Sequence, residues 1–172
     1  MNGKTTQAKT FFVNFAFIIM VCFDEGIMQL LGYAYKQRND WTCGPAVARV
    51  ILHASGVRKD IRGITKELRT TREGTGNAHF LRLLKKHNLR YFAKENATVA
   101  DIKKCLKRHL VVVAYWIPAH KESHYSIVKK INSKRIYFHD TWFGSNHSYS
   151  IKYFLKNWRD NEAYRWMLAV KK

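Results

Sequence analysis

The chain has 172 residues, of which 47% are hydrophobic, so it can bury the core of one globular domain and does not have a disordered composition. Lys and Arg number 31 against 12 Asp and Glu, and the net charge of +19 predicts attraction to nucleic acid, anionic lipid or acidic peptides. The basic residues recur among apolar ones along the whole chain. We therefore interpret them as solvated faces of helices and strands.

The three cysteines, Cys22, Cys43 and Cys105, are an odd number and include no Cys-x-x-Cys pair. A disulfide framework or a structural zinc site is therefore not expected. Free thiols are the remaining interpretation, and one of them is a candidate reactive group.

An apolar run occupies residues 11–23 and is shorter than the about 20 residues of a comfortable transmembrane helix. No secretory cleavage site follows it. We separate a hydrophobic N-terminal extension, residues 1–27, from a domain over residues 28–172. The extension is an uncleaved anchor, an export signal or the product of an early start before Met28. A cytoplasmic or membrane-associated protein is favoured, and export stays open.

The patterns after the extension predict helices first and an antiparallel sheet second, which is typical of an α+β domain. Pro45 is tolerated only in a first helical turn, and apolar residues recur at helical spacing from Val47, so a helix is expected to begin near Cys43. A buried central strand is expected over residues 110–117. Other helices are expected over residues 60–70, 77–87, 98–109 and 149–158, and other strands over residues 29–35, 89–94, 124–131, 135–140 and 164–170. Candidate N-terminal caps are Asn77, Thr98 and Ser150.

Cys43 is thereby expected at the N-terminal end of a helix, where unpaired N–H groups and the helix dipole favour an anion. The thiolate is the nucleophilic form of cysteine, so Cys43 is a candidate nucleophile. Its position alone fits a small buried residue at least as well. Cys105 lies inside a predicted helix and is interpreted as packing.

A thiolate nucleophile needs a base, and the base needs a group that orients it. A hairpin centred on Asn132 places His124 directly opposite Asp140, on one face of the sheet, with Cβ atoms about 4.5–5.5 Å apart. The sequence thus predicts a His–Asp pair at the open end of the hairpin. A register shift of one residue would separate the pair. His139 and His147 are expected to have structural roles.

Gln37 lies six residues upstream of Cys43. Its side-chain amide is a candidate donor to a developing oxyanion, together with the backbone N–H of Cys43. A glutamine in a loop is otherwise a polar surface residue, so this interpretation depends on its position before the cysteine.

Five segments occur in a familiar order along the chain: Gln37, "TCGPA" at 42–46, "EGTG" at 73–76, "HYSIV" at 124–128 and "HDTWFG" at 139–144. In this order they resemble the papain-like bacteriocin-processing peptidases and their stand-alone relatives. That family cleaves leader peptides after a double glycine, often as the N-terminal domain of an ABC exporter. The resemblance covers nearly everything after the hydrophobic extension.

The resemblance implies a papain-like cysteine peptidase fold, α+β, with N-terminal helices packed on a C-terminal antiparallel sheet. It implies that Gln37 supplies the oxyanion hole and Cys43 the nucleophile. His124 would be the base and Asp140 the orienting carboxylate. A peptide or protein substrate is expected, with no cofactor and no metal.

Two departures from the family pattern weaken a claim to double-glycine specificity. Thr42 stands where an acidic residue is common before the nucleophile, and Thr141-Trp142 replaces the usual proline. The sequence has neither a Walker phosphate loop nor a bundle of transmembrane helices, so an exporter is expected only as a partner. A membrane contact would use residues 11–23, and nucleic acid is a disfavoured partner.

Three alternatives stay open on the sequence. The same residues would serve transpeptidation, or amidase action on a non-peptide amide. A basic binding module for nucleic acid or an acidic partner would account for the charge without using Cys43. The segment "HKESH" at 120–124 has the spacing of two zinc ligands on a helix, although the residues after it alternate as in a strand.

Overall fold

Five helices and six strands are formed by residues 35–172, the part of the chain that the computed structural model describes. The helices are α1 (Cys43–Ala54), α2 (Ile61–Glu67), α3 (Asn77–Lys86), α4 (Val99–Leu106) and α5 (Ile151–Asn157). The strands are β1 (Tyr91–Lys94), β2 (His109–Ile117), β3 (Glu122–Ile131), β4 (Arg135–His139), β5 (Ser148–Ser150) and β6 (Met167–Lys171). The expected α+β class is confirmed.

The strands form one antiparallel sheet in the order β1–β6–β2–β3–β4–β5, with β2 near its centre. Successive side chains of a strand point to opposite faces. Val112 and Ala114 accordingly join a core with residues of α1, α2 and α3, whereas Val111 and Val113 join a second core with residues of α4 and α5. The expected central strand is therefore confirmed, and it is buried on both faces.

Three of the local helix signals hold and one does not. α1 begins at Cys43, and the side chains of Thr98 and Ser150 cap the helices that follow them, as expected. The cap at Asn77 is wrong, because Asn77 is the first residue of α3 and Gly76 occupies the cap position. Glycine has no side-chain acceptor, and the backbone N–H of Asn77 donates instead to Glu162 Oε2 at 2.8 Å.

The hairpin of β3 and β4 does not have the expected register. Its turn is centred between Ser133 and Lys134 rather than on Asn132. The side-chain oxygen of Asn132 accepts hydrogen bonds from the backbone N–H groups of Lys134 and Arg135, at 2.9 and 2.7 Å. These bonds stabilise a two-residue loop of Ser133 and Lys134. The expectation that His124 lies directly opposite Asp140 is therefore wrong.

An extra residue in β3 nevertheless brings the two side chains to one face. The pairing changes register at Lys129, which forms a β-bulge. One step beyond the last ladder pair after this bulge, Asp140 stands opposite Ser126. His124 is two residues from Ser126 on the same strand, so all three side chains share a face.

Some expectations fall on residues that the structure does not describe. These are the extension over residues 1–27, its apolar run at 11–23, Cys22, and all but the last residue of the strand expected at 29–35. Within residues 35–172, none of the helices has both the length and the apolar character needed to cross a membrane.

Candidate active site

Cys43 opens onto a cleft of about 520 Å³ although only 4% of the residue is exposed. The preceding residue, Thr42, does not cap α1, because its hydroxyl donates back to Asn39 O at 2.9 Å. Among the described residues no side chain caps this helix, so the positive end of its dipole acts on Cys43 without a competing acceptor. This is the placement that the sequence predicts.

His124 lies between Cys43 and Asp140. Its Nε2 is 3.1 Å from Asp140 Oδ1 and 3.0 Å from Oδ2, and the imidazole is near enough to Cys43 for the two side chains to interact electrostatically. Because Nε2 faces the carboxylate, Nδ1 is the ring nitrogen left for the thiol. Burial by itself lowers the pKa of His124, but the interactions with Asp140 and Cys43 outweigh burial and raise this pKa to about 10.

Asp140 follows β4 and begins a tight turn that pairs with Gly144, whose φ is +98°. The backbone N–H groups of Trp142 and Phe143 each donate to Asp140 Oδ1 at 2.8 Å. Burial raises the pKa of Asp140, but hydrogen bonds and charge from His124, with further donors, hold it well below its usual range. The carboxylate is therefore ionised at neutral pH.

Two buried hydroxyl groups that the sequence argument missed also contact Asp140. Tyr115 Oη lies 3.0 Å from Asp140 Oδ2, and Ser126 Oγ donates to the same oxygen. The two hydroxyl oxygens are 3.0 Å apart. Of the two, only Ser126 could have been identified from the sequence, because it lies two residues after His124 and therefore shares its face of the strand.

Gln37 is buried and is tied to the residue after Asp140. Its backbone N–H donates to Thr141 O at 2.9 Å, and the Thr141 hydroxyl donates to Gln37 Oε1 at 2.7 Å. The side-chain amide nitrogen donates to Asn39 O at 2.8 Å and to Asp40 O at 3.2 Å. Thr141, a departure from the family pattern, thus fixes the orientation of the Gln37 amide.

The opposite wall of the cleft is the loop at 73–76, which packs closely on α1. A Cβ atom on Gly44 would lie 2.4 Å from Thr75 Oγ1, so only glycine fits there without movement of the loop. From β3, Tyr125 Oη lies 2.9 Å from Thr75 O and 2.7 Å from Asn77 Oδ1. The helix end and the sheet therefore both position this loop.

The charge of the cleft differs from that of the chain. Five of its lining residues are acidic and three are Lys or Arg, against 12 and 31 in the whole sequence. The acidic ones are Asp40, Glu73, Glu122, Asp160 and Glu162. The net charge of +19 is thus a property of other surfaces, and it does not select an acidic substrate for this cleft.

The other candidate residues stay outside the site. His139 is buried without a hydrogen-bond partner for its ring among the described residues, and burial lowers its pKa. His147 stacks on Phe143 with ring centroids 4.5 Å apart. Cys105 packs against the second core, as expected. The segment 120–124 is a turn followed by the start of β3, so its two histidines do not share a helix face.

The model of the peptidase C39 family matches residues 33–165, a range that contains Gln37, Cys43, His124 and Asp140. This chain belongs to the peptidase C39 family. It is accordingly a cysteine-type peptidase with the papain-like fold that the ordered segments implied. No curated protein matches the chain in sequence.

Solved peptidase structures share the fold of this C39 peptidase at low sequence identity. A double-glycine motif protease from an AMS/PCAT transporter, in complex with the leader peptide, has a TM-score of 0.62 and 14% identity, covering 80% of this chain and 89% of that one. The peptidase domain of Streptococcus ComA, a bifunctional ABC transporter, gives 0.64 and 15%, covering 80% and 96%. A C39-like peptidase from Bacillus anthracis gives 0.65 and 11%, covering 80% and 93%.

Replacing Gly44 by alanine should destabilise this C39 peptidase. The new Cβ would overlap the side chain of Thr75, and we expect the free energy of unfolding in urea to fall by about 1–3 kcal/mol. Gly63→Ala is the matched control, since its Cβ would approach closely only the flexible side chain of Lys59, at 3.0 Å, and would make an ordinary contact with Asp60 Oδ2 at 3.5 Å. The control should gain up to about 1 kcal/mol from helix propensity. An unfolding free energy of Gly44→Ala equal to that of the wild type would contradict the close approach.

The stability of the folded domain should depend on pH through the His124–Asp140 pair. The raised pKa of His124 contributes stability that is complete below about pH 6.5, its unfolded value, and is lost as the pH rises through about 10. The lowered pKa of Asp140 contributes stability above about pH 4, which is lost in stronger acid.

The measurement is urea unfolding of wild type and Asp140→Asn from pH 4 to pH 10. The difference in unfolding free energy should be largest between about pH 4 and 6.5 and should shrink toward pH 10, by at most about 1.4 kcal/mol per pH unit. A difference that is constant over this range would show that the two groups do not interact as charges.

Proposed function

We propose that this C39 peptidase hydrolyses a peptide bond through a Cys–His–Asp triad and processes leader peptides. The observation that carries the proposal is the hydrogen-bonded His124–Asp140 pair, whose imidazole interacts with Cys43 at the uncapped end of α1, where Cys43 lines the cleft. A nucleophile, a base and an orienting acid in contact are the parts that thiol acyl transfer needs.

The reactive form is a thiolate–imidazolium pair, in which the proton of Cys43 has passed to Nδ1 of His124, as the raised pKa of His124 favours. The thiolate attacks the peptide carbonyl carbon, a C–S bond forms, and the carbonyl oxygen becomes an oxyanion. His124 then donates its proton to the leaving amine as the C–N bond breaks. A water molecule, deprotonated by His124, hydrolyses the thioester and restores the thiol. Asp140 keeps the second imidazole proton on Nε2 throughout.

The oxyanion would be stabilised by the backbone N–H of Cys43 and by the side-chain amide of Gln37. The amide nitrogen of Gln37 donates to two backbone carbonyls, and the bond to Asp40 O is the longer, at 3.2 Å against 2.8 Å to Asn39 O. That weaker bond is the one we expect an oxyanion to replace. The Thr141 hydroxyl, bonded to Gln37 Oε1, would keep the amide nitrogen on the correct side.

The substrate proposal rests on the relatives. One similar structure holds a leader peptide and another is a domain of an ABC transporter, so a leader peptide and an exporter partner are the natural candidates here. Transpeptidation and amidase action would use the same thioester. In transpeptidation an amine instead of water attacks the thioester, so added amine would compete with water. Amidase action also uses water and differs only in cleaving a non-peptide amide.

An electrophilic acyl-enzyme trap, such as a peptide aldehyde or a peptidyl vinyl sulfone, should modify Cys43 and abolish peptide cleavage. Cys43→Ala should remain folded and be inactive on any peptide that the wild type cleaves. Cys105→Ala is the matched control, because it removes the other described thiol without touching the cleft, and it should retain labelling and activity. Identification of the modified residue by mass spectrometry decides the assignment, and turnover by Cys43→Ala at the wild-type rate would exclude it.

Replacing Gln37 by alanine should lower kcat by about 10²–10³ if its amide stabilises the oxyanion. Thr141→Val is a nearly isosteric companion that keeps Gln37 but removes the hydroxyl that orients it, so we expect a smaller loss of about tenfold. Steady-state kinetics at saturating peptide measure both changes. An unchanged kcat in Gln37→Ala would leave the backbone N–H as the only donor of this proposed pair.

A further inference from the structure

We propose that Tyr115 and Ser126 are positioning residues, whose hydroxyl groups hold Asp140 in the orientation that His124 requires. The inference rests on the proposed function, since it concerns the same triad. It goes beyond that function because it assigns a role to two residues that do not touch the thiol or the cleft.

The placement of the two hydroxyls follows from the register of three neighbouring strands. Tyr115 of β2 pairs directly with His124 of β3, and their rings meet edge to face at 5.7 Å. Ser126 lies on the same face of β3 and stands opposite Asp140. The phenol, the hydroxymethyl group, the imidazole and the carboxylate thus lie on one face of the central part of the sheet, and all four residues are buried.

The position of the Tyr115 hydroxyl is set by a rigid environment. Its ring packs against Phe138, Tyr149 and Phe154, with ring centroids 5.4, 5.7 and 6.3 Å away. Only 1% of Tyr115 is exposed. The hydroxyl oxygen is thereby held 3.0 Å from Asp140 Oδ2.

The protons of the two hydroxyls account for the contacts. Tyr115 and Ser126 have one hydroxyl proton each, so either both donate to Asp140 Oδ2 or Tyr115 donates to Ser126 and Ser126 donates to the carboxylate. Burial raises the pKa of Tyr115 well above its ordinary value and keeps it a neutral donor. In both arrangements the charge on Oδ2 is stabilised by hydroxyl donors.

The consequence for catalysis passes through Asp140 to His124. Oδ2 is held by the hydroxyls and Oδ1 by backbone N–H groups, so the carboxylate cannot rotate away from Nε2 of the imidazole. Loss of a hydroxyl frees Oδ2, so the carboxylate can turn away from Nε2 and its contact with the imidazolium weakens. The imidazolium is then less stabilised, and the pKa of His124 falls.

Tyr115→Phe and Ser126→Ala test the inference, alone and together. We expect each single variant to lower kcat/KM by about tenfold. We also expect the alkaline limb of the pH profile to move to lower pH, because His124 loses its proton earlier. Tyr149→Phe is the matched control, since it removes a hydroxyl from the same aromatic cluster that makes no hydrogen bond to Asp140, and it should leave the limb in place. Ser126→Thr keeps a hydroxyl and should keep the limb near its wild-type position.

An NMR titration of the His124 imidazole in each folded variant gives a readout that does not depend on turnover. A lowered imidazole pKa in Tyr115→Phe and Ser126→Ala, and not in Tyr149→Phe, supports the inference even if no tested peptide is cleaved by the wild type. An unchanged imidazole pKa in both variants would overturn it. So would a loss of kcat/KM that accompanies only a lower melting temperature, because a purely structural role moves stability without moving the pH limb.

Discussion

Side-chain alternation in the β3–β4 hairpin is the constraint on which the candidate site depends. Residues that oppose each other across two strands share a face, and a shift of one residue reverses the face. The pairing at the turn end of this hairpin would put His124 and Asp140 on opposite faces. The bulge at Lys129 adds one residue to β3 and thereby brings the two side chains to the same face. A small irregularity near the turn thus decides whether His124 can meet the Asp140 carboxylate.

A buried charge pair is stable only if its remaining hydrogen-bonding capacity is met. Asp140 receives donors from the imidazole, from two backbone N–H groups and from at least one of the two hydroxyls, which together meet the about four lone-pair sites of a carboxylate. Removing one partner of such a pair leaves an uncompensated charge and costs about 3–5 kcal/mol. The surrounding donors therefore permit an ionised carboxylate inside the sheet, where it can act on His124.

Local features of this fold are predictable from the sequence, and contacts between distant segments are not. Pro45, Thr98 and Ser150 act within one helical turn, and each marks a helix start in the structure. Hydrogen bonds between residues far apart in the chain leave no local sequence pattern. Glu162, which accepts from the Asn77 N–H, is 85 residues away, and Thr141, which donates to Gln37, is 104 residues away. The sequence predicts the His124–Asp140 pair from an incorrect register. That register still puts both side chains on one face, because the shifted turn and the bulge together displace the strands by two residues, an even number. β5, with three residues, is too short for an alternating pattern to reveal.

The two halves of the candidate site come from separate layers, which pack on each other through the core that Val112 and Ala114 join and are also held by two polar links. Gln37 and Thr141 link the segment before α1 to the turn after β4, while Tyr125 links the sheet to the loop at 73–76 that packs on Gly44. These two links act together with the packing of α1 on the sheet, which brings Cys43 and His124 to the same region. In the proposed mechanism proton transfer depends steeply on the separation of Cys43 from His124, so Thr141 and Thr75 contribute to its geometry although neither takes part in it.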